Sequence, residues 1–330
     1  MAQIAKPLLQ LTKAQIDAKL ANSENQWQLA WRRLRRNKAS LISMIILIVF
    51  LLISLVAPLI APHNPLEQRT TNFQQTPPFW QAQSPAGKDY NPSFILGTDS
   101  LGRDVFSRII YGSRTSFVLS LLPLAIVMLI GMLIGFTAGL LGGKVDNILM
   151  RITDIFYAFP DTLFIVLIFV TVGNTAIGRM ANGVLLFALS IGILFWVGLA
   201  RLTRGQALTL KGREFVEAAR SLGASQWQLM WKHIFPNSLS IIIIWAAYAI
   251  PSFVLIEVTL GFLGIGLRPS LDPNEIFLTS WGRLLLDGRN DIQSQPGFLL
   301  GTVGTIALYV ISLRFFADGL RDALDPRQKG

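Results

Sequence analysis

Residues 115–143 read TSFVLSLLPLAIVMLIGMLIGFTAGLLGG. The stretch holds no charge, and its Leu, Ile and Val run on without the period-2 alternation of a barrel strand. A hydrocarbon core about 30 Å thick is crossed by roughly 20 apolar residues in helix, so this run is long enough to span it. Lipid offers no partner to backbone N–H and C=O groups, which confines spanning chains to helices and closed barrels. The reading is an all-α integral membrane protein.

Working outward, charge-free runs recur at Ala39–Leu66, Thr162–Gly178, Met180–Ala200, His233–Ile256 and Ile292–Leu313, with His counted as neutral. The run at 162–178 is short, but Ile155–Pro160 lies just before it and Asp161 is its only interruption. Six transmembrane helices are expected. Composition agrees, since 52% of the 330 residues are hydrophobic and only 15% charged, against about a quarter charged in soluble domains. The net charge of +10 needs no nucleic acid to explain it. Twenty Lys and Arg residues fall on one side of the spans, including WRRLRRNK at 31–38, and nine on the other. The positive-inside rule then puts both termini in the cytoplasm. With no cysteine, disulfides, thiolate metal sites and a Cys nucleophile are excluded. The first span is read as a permanent anchor: it is too long for a cleaved signal, and Pro58, His63 and Pro65 do not resemble a small-residue cleavage site. Its lead, roughly residues 14–36, is either an amphipathic cytoplasmic helix or a solvated tail.

One charged, punctuated segment interrupts the hydrocarbon-like chain: EFVEAARSLGASQWQLMWKHIFPN at 214–237. Phe215, Ala218, Ala219 and Leu222 fall at helical spacing, and Gly223 follows where a left-handed cap is wanted. Ser225 and Gln228 have the spacing of a capping box, which starts a second helix. Its Trp227, Met230, Trp231 and Ile234 make one apolar stripe, and Pro236 is expected to close it. Such a stripe either rests on the protein's own helices or the lipid interface, or docks another protein.

Glu217-Ala218-Ala219, three residues, Gly223 and then Ile234-Phe235-Pro236 resemble the E-A-A-x-x-x-G motif of ATP-binding-cassette importer permeases. In that family the segment is the coupling helix, seated in a groove of the ATP-hydrolysing subunit. ILGTDSLGRDVFSRIIYGSRTSF at 95–117 and RFFADGLRDALDPR at 314–327 are similar to segments of the dipeptide and oligopeptide permeases. The resemblance runs from about Asn37 onward and is to the C-type subunit with a short lead and six spans; residues 77–93 are longer than usual for it. It implies a type I importer permease fold in a bacterial or archaeal cytoplasmic membrane, carrying peptides. It also implies partners: a second homologous permease, two ATP-binding-cassette ATPase subunits and an extracytoplasmic substrate-binding protein. Phe215, Glu217, Ala218, Ala219, Leu222, Gly223, Trp227, Trp231 and Pro236 would form the ATPase-coupling interface. Glu217 would cap and position it, Gly223 would permit its turn, and the large apolar side chains would supply contact. Relatives in the family carry nickel complexes or oligosaccharides instead.

No phosphate-binding loop is encoded, because GGKV at Gly142–Val145 lacks the first Gly and has Val after the Lys. ATP and magnesium are therefore expected on partner subunits, with no cofactor and no catalytic residue on this chain. A stand-alone ion-driven transporter would need buried ionisable groups at mid-membrane, for which Asp161 and Glu257 are the only candidates. Each is a structural carboxylate, a path-lining group or a proton relay. Pro160 and Pro251 can kink their spans and join them as candidate gating positions. Gly131, Gly135 and Gly139, one per helical turn, are expected to let helix backbones approach. At 95–117, Val105, Ile109 and Ile110 predict an amphipathic helix in the outer interface with Arg103, Arg108 and Arg114 on its wet side, or a contact with the external protein. Asp272, Glu275, Asp287 and Asp291 offer that protein a further surface. The expected organisation is a cytoplasmic segment 1–40, an anchor helix 41–61, an extracytoplasmic loop 62–114 with an interfacial helix, a permease core 115–320 including a coupling loop 201–238, and a cytoplasmic tail 321–330.

Overall fold

The computed structural model describes residues 26–325 apart from 70, 269, 271, 273 and 274; most of the lead expected at 14–36 lies outside the described residues. Helix α1 (Gln26–Arg36) meets α2 (Lys38–Leu55) at Asn37, whose side chain accepts from the Ser40 N–H at 3.3 Å. Beyond the short turns Ala57–Ile60 and Thr71–Phe73, the chain reaches α3 (Val105–Leu141) without a long helix. Then follow α4 (Gly143–Tyr157), α5 (Asp161–Val172), α6 (Val184–Lys211), α7 (Glu214–Ser221) and α8 (Gln226–Leu229). A five-residue π segment, Met230–Ile234, leads into α9 (Phe235–Phe262), and α10 (Trp281–Asn290) and α11 (Pro296–Leu324) complete the chain. Among the described residues, five helices are long and apolar enough to cross a membrane, or six if the bent pair α4 and α5 counts as one span.

Three elements depart from expectation. The second span does not begin at Thr115: Asp104 caps α3 by accepting from the Ser107 N–H at 3.0 Å, and helix runs unbroken from Val105. The separate interfacial helix expected there is thus the first three turns of α3. Arg108 is not on a wet side; it is 2% exposed, because two carboxylates meet it inside the protein. The third span is not one straight helix, since α4 and α5 meet at 78°. Pro160 stands at that break and lacks the N–H that would continue the helix, while disfavouring helical backbone at Phe159. Nor does Pro236 close a helix, as the chain stays helical through it into α9. The wide π turn ahead of it takes up the disturbance that proline makes in the preceding turn.

The core is organised by glycine. A Cβ at Gly131 would meet Leu199, one at Gly135 would meet Thr203 Oγ1 at 2.0 Å and the Ala200 carbonyl at 2.2 Å, and one at Gly139 would meet Ala207 at 2.6 Å. These positions ascend together, so α3 and α6 pack in parallel at near backbone contact. One apolar core lies between α3, α5, α6 and α9, and a second gathers α2, α3, α9, α10 and α11 around Trp281. The Trp281 ring packs edge-on against Phe50 and Tyr309, and its indole N–H donates to the Ile109 carbonyl at 3.1 Å. Ala30 and Leu34 of α1 pack with Ala323 and Leu324, and Lys211 Nζ donates to the Leu140 carbonyl at 2.6 Å. Both described termini and the 212–235 segment therefore share one end of the bundle.

Candidate functional site

The segment at 214–235 is a rigid corner built from local rules. Glu214 and Glu217 lie in the first turn of α7, where carboxylates suit the helix dipole. The helix ends in a complete Schellman arrangement: the Gly223 N–H donates to the Arg220 carbonyl at 2.9 Å and the Ala224 N–H to the Ala219 carbonyl at 3.1 Å. Gly223 has φ +88°, which its lack of a Cβ permits. Immediately afterward a reciprocal capping box opens α8, with the Gln228 N–H on Ser225 Oγ at 3.3 Å and the Ser225 N–H on Gln228 Oε1 at 2.9 Å. The corner is anchored from beneath: Val216, Leu229 and Ile234 are fully buried, and Met230 and Ile234 pack with Phe136, Leu140, Ala207 and Ile242.

What remains outside divides into two faces. Leu222 at the tip is 90% exposed and Phe215 44%, with Ala218 exposed and Ala219 half-buried between them. Trp227 and Trp231 belong elsewhere. They form an edge-to-face ladder, 5.5 Å between centroids, that continues through Phe235 to Phe136 and closes a groove with Leu129, Met132 and Leu133 of α3. The stripe read from the sequence is therefore split, with Met230 and Ile234 in the core and the tryptophans along α3. Pro236 is exposed in the first turn of α9. Glu217 does not cap the element. Its carboxylate bonds nothing among the described residues, because with Arg213 at the N-cap it stands one position beyond N3, from which a carboxylate reaches back to the N-cap N–H. An unanticipated pair ties α6 to α4: Arg204 grips Asp146 with two bonds, 2.5 and 2.7 Å.

The remaining candidates are spread through the molecule. Pro160 and Asp161 are exposed and line a groove of about 400 Å³ with Phe195, Gly198 and Trp245. Asp161 Oδ1 accepts from the Thr162 N–H at 2.7 Å. Pro251 is buried inside α9, which runs past it without a break. Glu257 is 3% exposed and lies against Gly282 beside Ser116 and Ser280. It is not brought together with Asp161.

At the end of the bundle away from the corner, sequence reasoning missed a charged cluster. Arg108 bridges Asp99 and Asp287, 2.7 Å to each, Arg103 bonds Asp99 at 2.7 Å, and Arg283 Nε lies 3.2 Å from Asp287. Asp99 also accepts the Leu101 and Arg103 N–H groups, and Asp291 accepts the Ser100 N–H at 2.9 Å. Burial lowers the Arg103 guanidinium below its ordinary value, with the neighbouring Arg108 charge adding to the effect. Burial likewise raises the Asp291 carboxyl, against the opposing bond from Ser100. The acidic residues read as an outer docking surface, Asp287 and Asp291, are thus largely engaged inside the chain.

Residues 131–330 match the family described as binding-protein-dependent transport system inner membrane component, and residues 25–78 match the N-terminal TM domain of oligopeptide transport permease C. The chain is 34% identical over 303 residues to the oligopeptide transport system permease protein OppC of Haemophilus influenzae, covering 92% of this chain and 89% of that protein. It is 35% identical to OppC of Escherichia coli, covering 92% of each. With the dipeptide transport system permease protein DppC of Bacillus subtilis it shares 33% identity over 301 residues, 91% of this chain and 85% of the relative. A multi-pass helical chain with an exposed corner, matched along nine-tenths of its length, is a permease and not an enzyme: it belongs to the family of binding-protein-dependent transport system inner membrane components.

Proposed function

We propose that this chain is one of two dissimilar permeases lining the path by which peptides enter the cell, in an importer driven by two separate ATPase subunits. The chain crosses the cytoplasmic membrane six times with both termini in the cytoplasm. Parallel packing of α3 and α6 supports that count, since the chain between them must return along the bundle and α4 and α5 are the long helices lying there. The basic residues of α1 at the end shared with the corner support the orientation. Peptide cargo follows the OppC and DppC relatives, and an external substrate-binding protein delivers it at the opposite end. ATP and magnesium stay on the ATPases.

The observation that carries the coupling role is Leu222, 90% exposed at the tip of a corner whose base is fully buried. A large apolar side chain held out by two interlocked caps suits a pocket on a partner. Force on the tip passes through Val216, Leu229 and Ile234 to α6 and α9. Phe215 accompanies Leu222 on that face, whereas Trp227 and Trp231 back the corner against α3. Because the chain has no cysteine, Leu222→Cys gives a single thiol. A short bifunctional crosslinker on the assembled complex should join it to the ATPase subunit, and Trp227→Cys should crosslink far less. Crosslinks from position 222 that reach only lipid or this same chain would remove the coupling role.

A further inference from the structure

We propose that a cavity at the end of the bundle opposite Leu222 receives the terminal carboxylate of the peptide cargo on Arg268 and Arg283. The inference rests on the peptide reading and names the group by which this chain would recognise such cargo. The cavity has a volume of about 280 Å³ and lies between the end of α5, the 174–183 connection and the 264–268 turn. That is the lower end of the ligand-cavity range, which starts at about 300 Å³, so it holds a chain terminus and its last residue but not a long peptide. Much of its wall is bare backbone. Gly183 and Gly264 have φ of +94° and +77°, and a Cβ at either would touch nothing closer than 3.6 Å.

The guanidinium groups give the cavity its chemistry. In the neighbouring cluster, Arg103, Arg108 and Arg283 share only Asp99 and Asp287. Arg283 is the least satisfied of the three. It reaches Asp287 through Nε alone, without hydrogen-bond geometry, and its two terminal nitrogens have no partner among the described residues. Arg268, across the cavity, donates one nitrogen to Asn174 Oδ1. Of the nearby acids, Glu275 accepts from Asn182 and Asp291 from Ser100, while Glu257 is buried against Gly282 beside Ser116 and Ser280. Two guanidinium forks facing a cavity that no carboxylate lines among the described residues suit a carboxylate, which they bind in a planar, charge-assisted geometry. A free terminal carboxylate is common to peptides of every length and side chain, so such a site would be tolerant of both.

The test uses the assembled importer in liposomes with its external binding protein, a tripeptide, and the same tripeptide amidated at its C-terminus. The readout is the ratio of kcat/KM for acid over amide, in the unmodified complex and with Arg268→Gln or Arg283→Lys. The binding protein is unchanged throughout, so any change in the ratio belongs to the permease. Arg268→Gln should lower the ratio about tenfold, the loss of one charge-assisted hydrogen bond, and Arg283→Lys should lower it less, because charge remains. An unchanged ratio with uptake intact overturns the proposal. So does equal loss of both substrates, which would give the arginines to an acidic side chain of an adjoining subunit or to folding. If the unmodified complex carries neither tripeptide, the peptide reading falls first and this proposal with it.

Discussion

Asp287 shows how one side chain can join three elements: Arg103 from the loop before α3, Arg108 from α3 itself and Arg283 on its own helix α10 all lie within 4 Å of it. Beside it, Asp291 has the opposite problem, since it is buried near two other carboxylates and its charged form is disfavoured. A carboxyl raised in the fold holds its proton more readily there than in the unfolded chain. Its stabilising contribution is present below the unfolded value and is lost as pH rises through the folded one. Asp291→Asn keeps an acceptor for the Ser100 N–H and removes the buried charge. The detergent-solubilised variant should melt higher than the parent at pH 7, and the gap should close as the pH falls below the carboxyl's raised value. A gap that widens on acidification would contradict this account of Asp291.

Among the elements, the α3–α6 pair offers the sharpest contrast between one glycine and another. At Gly135 an added Cβ collides with the Ala200 carbonyl, which is backbone and cannot rotate away, whereas Gly205 on α6 has nothing within 4 Å. Gly135→Ala should destabilise by about 1–3 kcal/mol through overpacking, and Gly205→Ala should stabilise by up to about 1 kcal/mol through helix propensity; differential thermal unfolding in detergent reads both. The glycine spacing, the Gly223 cap and the Ser225–Gln228 box were legible because each is a short-range rule with the residues in register. The split of the tryptophan stripe was not, as helical spacing gives a face but not which half of it a neighbour covers. Arg108 was misplaced for the same reason: an arginine at a span's edge reads as wet until Asp99 and Asp287, nine and 179 residues away, are found against it. Proline misled once as well. Pro160 ends a helix and Pro236 does not, and only the π turn before the latter distinguishes them.

For the molecule as a whole, α1 is an attachment clasped to the end of α11, and α2 runs from that clasp into the second core through Phe50. Both pass tightly over Gly319, where a Cβ would lie 1.7 Å from Ser40 Oγ and 3.4 Å from Leu34. Gly319→Leu should spring the clasp while Phe50 keeps the far end of α2 in the second core. Overpacking of about 1–3 kcal/mol should speed tryptic cleavage within residues 32–38 about tenfold or more, by favouring local opening. Cleavage at the parental rate would mean that the clasp is held elsewhere. One continuity reaches further. From Gln226 to Phe262 the chain is a single run of 37 helical residues, about 55 Å at the rise of an α-helix, held by the two cores from Ala246 to Leu260, towards its Phe262 end. A rod that stiff, seated against α3 near Trp227 and in the cores near Leu260, carries a displacement of either end into the packing at the other.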